Sequence, residues 1–245
     1  MKFEFRIGSI PVTVHGSFFL VIAFLGFGRE GDGQLHPVAL AQWIVVAFIG
    51  VLLHELGHAL VGRSFGLVPK IDLIGFGGLT SWIGSERRAL EAPKRIAISL
   101  AGPFTGIAIG LATFALIRMR GGLSPFASLF ALDTPWTPLA VDIAWVNAGW
   151  GVFNLLPILP LDGGNVLFQS LRWFTHGGGE RAARLISCGV AALGGLWALA
   201  VGWVFPAIFA GLFAIQNFQA FRAAGAPPPP RKEGGSPPRG APPRF

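Results

Sequence analysis

The chain has 245 residues, 52% hydrophobic and 13% charged, with a mean hydropathy of +0.60 and a formal net charge of +7. Soluble domains carry about 25% charged residues, so this composition excludes an ordinary soluble enzyme and points to an integral membrane protein built as one compact bundle. Most of the basic residues flank apolar stretches, where a membrane accounts for them without nucleic acid, and the single cysteine, Cys188, excludes an internal disulfide.

The first residues, Met1 to Arg6, mix charges with aromatics, and Ile7 to Val14 reads as an extended segment approaching the membrane. Val12 to Phe27 is the first, rather short span; no small-residue cleavage pattern follows it, so it is read as retained. His15 at its start is an interfacial, hydrogen-bonded histidine rather than a ligand. Arg29 to Pro37 is a polar loop in which His36 is solvated.

Val38 to Gly62 is the second span and carries His54-Glu55-Leu56-Gly57-His58 near its C-terminal end. Between Ala39 and Val61 the only ionisable residues are His54, Glu55 and His58. At ~1.5 Å per residue this run is ~34 Å long, enough to cross a ~30 Å hydrocarbon core. Two histidines four apart on a helix share one face, the bite needed for one tetrahedral Zn²⁺, with Glu55 beside them to take a proton from an activated water. A surface helix carrying the same five residues by chance is the competing reading. It must explain three polar groups inside a lipid-spanning segment, where burial without partners costs several kcal/mol each.

Leu67 to Trp82 changes period. Ile71 and Leu73 alternate with Lys70 and Asp72, and Gly75 to Gly78 supplies turn chemistry, so a small β-hairpin dipping toward the site is expected, with a plain connecting loop as the alternative. Glu86 to Arg95 is a charged surface segment. Ile96 to Ile117 is the third span, with Gly102, Gly106 and Gly110 spaced by four as a close-contact face. Arg118 to Thr137 is a loop. Pro138 to Pro160 is the fourth span, and its Asp142 is read as interfacial. Leu185 to Phe221 has no charge; one helix of that length would run ~55 Å, so two spans broken near Trp203 to Pro206 fit better. Residues 223–245 form a basic tail rich in proline, expected to be disordered or polyproline-like beside a membrane domain of residues 1–222.

The fold class expected is therefore all-α and membrane-integral: a six-helix transmembrane bundle with a small membrane-associated β-hairpin. Six spans place both termini on one side, together with every lysine and arginine except Arg29, Arg118 and Arg120. The positive-inside bias makes that side cytoplasmic and sets His54 ~13 Å below it.

Two histidines leave a catalytic zinc site one protein ligand short. Asp162 is the other candidate from a cytoplasmic helix end. Pro157 and Pro160 cannot continue a helix, and Gly163 and Gly164 permit close backbone approach. Taken alone, Asp-Gly-Gly after two prolines is more often a turn.

With both motifs in hand, the sequence resembles the site-2 protease family of intramembrane metalloproteases. His54 to His58 looks like its HExxH, and Asn154 to Gly163 like its Asn-x-x-Pro-x-x-Pro-Leu-Asp-Gly segment. Ala101-Gly102-Pro103, the Gly77-Gly78 hairpin and His15 also fit. The resemblance implies one Zn²⁺ held by His54, His58 and Asp162, with Glu55 as general base and Asn154 as a polar helper at the scissile carbonyl. It also implies a transmembrane protein substrate, with membrane-anchored anti-sigma factors or pro-proteins as examples, and a prokaryotic cell membrane. One departure is Gly106, where family members often carry Asn. The chain has no room for a PDZ or CBS domain. Two rival functions fit the residues less well. A metal transporter needs ligands on several spans, which are lacking. A catalytically inactive zinc scaffold has no use for Glu55.

Overall fold

The computed structural model describes residues 1–27, 34–75, 77–84, 90–121, 137–176 and 179–224. The proline-rich segment 225–245, most of the loop expected from Arg118 to Thr137 and residues 85–89 of the charged segment lie outside them. The order is β1 (Lys2–Ile7), β2 (Ile10–His15), α1 (Gly16–Gly26), α2 (Pro37–Ser64), β3 (Val68–Ile74), β4 (Gly77–Ile83) and α3 (Ala92–Gly121). Then come α4 (Thr137–Ala144), a π-helical turn (Trp145–Gly149), α5 (Trp150–Asn154), α6 (Asp162–Phe174), α7 (Glu180–Ala200) and α8 (Val204–Ala223).

The described residues are mostly helical, and among them four helices are long and apolar enough to cross a membrane: α2, α3, α7 and α8. Their outer faces keep Val45, Ile49, Phe104, Leu111, Leu193, Ile208 and Leu212 exposed, as lipid-facing surfaces require. The break between α7 and α8 falls at residues 201–203, beside the expected position.

The first span is shorter than read. Val12 to His15 belong to β2, and α1 has 11 residues, ~16 Å, about half the hydrocarbon thickness. Hydropathy cannot separate the two: Ile10, Val12 and Val14 are buried on one face of a strand and then Phe18 and Ile22 on a helix, all equally apolar. The expected hairpin is present as β3–β4, within a larger sheet of order β1-β2-β3-β4. β2 pairs with β3 in parallel, Val12 opposite Ile71, so β3 is central and β4 is the edge. One sheet face, with Ile10, Val12, Val14, Ile71 and Leu73, packs on α1 and α2 around Phe18, Ala47 and Val51.

The turn from α2 into β3 explains how the sheet reaches back over the helix. Gly66, at φ 85°, follows the last helical turn; its N–H donates to the Arg63 carbonyl and that of Leu67 to the Gly62 carbonyl. This is a Schellman closure, which needs a residue at positive φ. The returning β4 lays Trp82 across Gly62, where any Cβ would strike the indole.

From Thr137 to Asn154 the chain stays helical through α4, the π turn and α5. Gly50, Gly106 and Gly110 admit the π turn: a Cβ on Gly106 would stand 2.6 Å from the Asn147 carbonyl, and one on Gly110 would meet Ala148. The Gly-xxx-Gly face thus divides its work, since Gly102 faces α2. Asp142 is buried at 5% exposure, and Gln42 of α2 donates to its Oδ2 at 3.0 Å. The amphipathic α6 was not foreseen, because a search for apolar spans passes over a helix with Asn165, Gln169 and Arg172 on it.

Candidate metal centre

α2 builds the centre from one stripe. Val46, Gly50, Val51, His54, Glu55, His58 and Gly62 recur at helical spacing and are all buried. His54 and His58 point into the seam with α3, their rings edge-to-face at 4.9 Å. His58 Nδ1 donates to the Ile98 carbonyl at 2.6 Å, which leaves Nε2 facing the site with its lone pair. Gly57 and Gly102 set the helix separation. A Cβ on Gly57 would stand 2.7 Å from the Ala101 carbonyl, and one on Gly102 would stand 2.8 Å from His54 Nε2 and still closer to His58.

The third donor arrives from a bend. α5 ends at Asn154, Leu155 to Leu161 is not helical, and Asp162 opens α6. The Leu159–Pro160 peptide is cis. Gly163 and Gly164 lie so close to the backbone of Leu155 and Ile158 that no side chain fits at either position. Asp162 Oδ2 is then 3.1 Å from His54 Nε2 and 3.3 Å from His58 Nε2, and the two Nε2 atoms are 3.2 Å apart.

These three separations test the fit to a metal. Donors ~2.0–2.1 Å from one tetrahedral Zn²⁺ stand about 3.3 Å apart. Two imidazole nitrogens and a carboxylate oxygen at 3.1–3.3 Å match that triangle. They form the one His, Cys, Asp and Glu group among the described residues able to hold a metal ion.

Glu55 is not a donor to this group. Its carboxylate turns toward β4, where the Thr80 hydroxyl donates to Oε2 at 2.6 Å and lies 3.1 Å from the Glu55 carbonyl. Gly78 presses against the same carboxylate: a Cβ there would stand 2.6 Å from Oε1. Asn154 is buried and lines the same cavity of about 1080 Å³ as His54, Glu55, His58 and Asp162. Its Nδ2 donates to the Trp150 carbonyl at 3.0 Å, so one of its two amide hydrogens is already engaged. His15 sits at the N-terminal cap of α1, His36 at that of α2, and neither lines the cavity, nor does Asp142.

Thr80, the Ile98 carbonyl and Gly102 as a ring-facing glycine were not identified from sequence. Gly102 carried a signal, its place beside Pro103 in a repeated glycine pattern. Thr80 carried none beyond lying on the predicted hairpin.

Peptidase family M50 matches residues 42–134 and 127–196 of this chain. Rip3 of Mycobacterium tuberculosis, named as a zinc metalloprotease, is 32% identical over 231 residues, covering 81% of this chain and 55% of Rip3. The similarly named sll0528 of Synechocystis is 31% identical over 233 residues, covering 83% and 58%. The chain spans about half the length of the curated relatives it matches. The structure of a site-2 protease from Methanocaldococcus jannaschii superposes with a TM-score of 0.59 at 24% identity, over 89% of this chain and 94% of that one. The matched segments take in both histidines, Glu55 and Asp162, and on that coverage the chain belongs to peptidase family M50, the site-2 protease family.

Proposed function

We propose that this chain is an intramembrane zinc metalloprotease that hydrolyses peptide bonds within or near transmembrane segments of membrane-protein substrates. The observation that carries the reading is Glu55. A free carboxylate, held by Thr80, stands one residue from a three-donor metal group in a cavity among membrane-spanning helices. A structural zinc site has no use for such an acid.

His54, His58 and Asp162 would hold the metal. Zinc at such a site supplies Lewis acidity and lowers the pKa of a bound water toward ~7. Glu55 accepts the proton of the attacking water at its carboxylate and returns it to the leaving amine. Thr80 keeps that carboxylate aimed into the cavity. The second amide hydrogen of Asn154 is available for the carbonyl oxygen of the scissile bond as charge develops on it. Substrate backbone must leave its helix to be cut, and β4 offers a partner: it is the sheet edge, and Gly77 to Thr80 line the cavity. Strand addition there would satisfy the freed peptide groups.

Residues 1–222 form the protease domain of this reading, with the basic tail apart from it. The six-crossing reading adds the Thr137–Asn154 run and the short α1 to the four long helices, and α1 would cross only where the bilayer is locally thinned. The charge bias then puts both termini on the cytoplasmic side of a prokaryotic cell membrane.

The test separates ligand from base. Glu55→Gln should keep near-stoichiometric zinc and lose cleavage of a transmembrane test substrate in detergent. His58→Ala should lose both. Asp162→Asn should weaken zinc and nearly abolish cleavage. Full activity of the Glu55→Gln protein would refute the hydrolytic reading.

A further inference from the structure

The bend that delivers Asp162 packs among apolar helices, where every polar group of irregular backbone needs a partner. Most of its groups are answered locally. Leu155 and Leu156 donate back to the last turn of α5, Ile158 to the Leu156 carbonyl and Leu161 to the Ile158 carbonyl. Pro157 and Pro160 have no N–H. Leu159 is different, because both its polar groups are taken by distant helices. Its N–H donates to Ser187 Oγ of α7 at 3.1 Å, and its carbonyl accepts from Asn217 Nδ2 of α8 at 2.6 Å. Ser187 is 0% and Asn217 1% exposed.

The Asn217 amide is itself fixed in orientation. Nδ2 also donates to the Phe213 carbonyl at 2.8 Å, and Oδ1 accepts from Arg184 Nη1 at 3.5 Å. A leucine would pack in an apolar helix at far lower desolvation cost than this amide. What the amide and the serine do together is hold the two successive peptide units that meet at Leu159, the serine through the N–H of the first and the amide through the carbonyl of the second, three residues before Asp162. The rest of the bend is tied tightly enough to pass that restraint on. Besides the Leu161 bond, Asn165 Nδ2 lies 3.2 Å from the Pro160 carbonyl and 3.3 Å from that of Leu161.

We propose that Ser187 and Asn217 are positioning residues that clamp the backbone on both sides of Leu159 and thereby fix Asp162 against His54 and His58. The inference rests on Asp162 being the third metal ligand. It gives α7 and α8, which contribute no donor to the metal group, a defined part in metal binding.

The experiment measures zinc affinity of the purified full chain in detergent by chelator competition, with the visible spectrum of the cobalt-substituted protein as a second readout. Ser187→Ala and Asn217→Leu should each weaken zinc about 10- to 100-fold, the usual range for losing a group that orients a ligand, and should alter the cobalt spectrum. In an Asp162→Asn background the same substitutions should add nothing, because the residue they position no longer binds as a carboxylate. Native affinity and spectrum in both single variants, beside a weakened Asp162→Asn protein, would overturn the clamp alone. Native affinity in Asp162→Asn would remove the ligand assignment and the clamp with it. Additive losses in the double variants would also overturn it. If Asn217→Leu does not fold, Ser187→Ala, which deletes one oxygen, carries the test.

Discussion

Two glycines should separate metal binding from proton transfer. Gly102 faces the imidazoles and Gly78 faces the Glu55 carboxylate. In Gly102→Ala the new methyl would stand 2.8 Å from His54 Nε2 and closer to His58, so at least one ring must retreat by several tenths of an ångström. His58 has little freedom to do so, because its Nδ1 is held at 2.6 Å by the Ile98 carbonyl of the same helix that carries Gly102. Overpacking of this kind costs about 1–3 kcal/mol. At ~1.4 kcal/mol per decade, zinc should bind roughly 5- to 150-fold more weakly. In Gly78→Ala the methyl would stand 2.6 Å from Glu55 Oε1 while Thr80 holds Oε2. The carboxylate shifts and the donors do not. Zinc affinity should stay native, while kcat/KM falls about 10- to 100-fold, as displacement of a catalytic group by up to ~1 Å does. Chelator competition and cleavage of a transmembrane test substrate read the two quantities. Native zinc affinity in Gly102→Ala, or zinc loss in Gly78→Ala, would refute the division.

Thr80→Val keeps shape and deletes the donor to Glu55; a charge-assisted bond of ~1.5–3 kcal/mol is lost, so kcat/KM should drop about 10- to 100-fold at unchanged zinc content. Gly106→Asn should lower the melting temperature in detergent, because its Cβ would stand 2.6 Å from the Asn147 carbonyl; a raised melting temperature would contradict the packing. A cytoplasmic-type reporter fused after Arg222 should be active, and activity of a periplasmic-type reporter there would remove the six-crossing topology.

The local part of the site was legible because its periods are local. His54 and His58 lie four apart on a helix, and that spacing alone puts both rings on one face. Asp162 was legible as chemistry, through two prolines and two glycines, while its approach to His54 from 108 positions away came from family resemblance and depth. The sheet was half legible. β3 showed its alternation, but Ile7 to Val14 read only as an extended segment without a pairing partner, and Val12 to His15 of β2 fell into the first span, because a strand buried on one face by helices and a short helix have the same hydropathy. With β2 beside β3, Ile71 is 0% exposed between β2 and β4, and the free edge falls to β4.

The partners of the site residues explain why the remainder could not be read. The Ile98 carbonyl, Thr80 and the Leu159 backbone are each joined to their partners across 25 or more positions, and two of them act through backbone atoms that carry no mark of residue type. Sequence type cannot mark a backbone acceptor. What it can mark is the side chain that answers one, and here those are polar residues in otherwise apolar helices: His58, Ser187 and Asn217. Of these, Ser187 and Asn217 answer irregular backbone elsewhere in the fold, groups that no helix or sheet satisfies and that a membrane interior cannot leave open. The two residues, one on α7 and one on α8, meet at Leu159, and the chain leads from there to the third donor of the metal group.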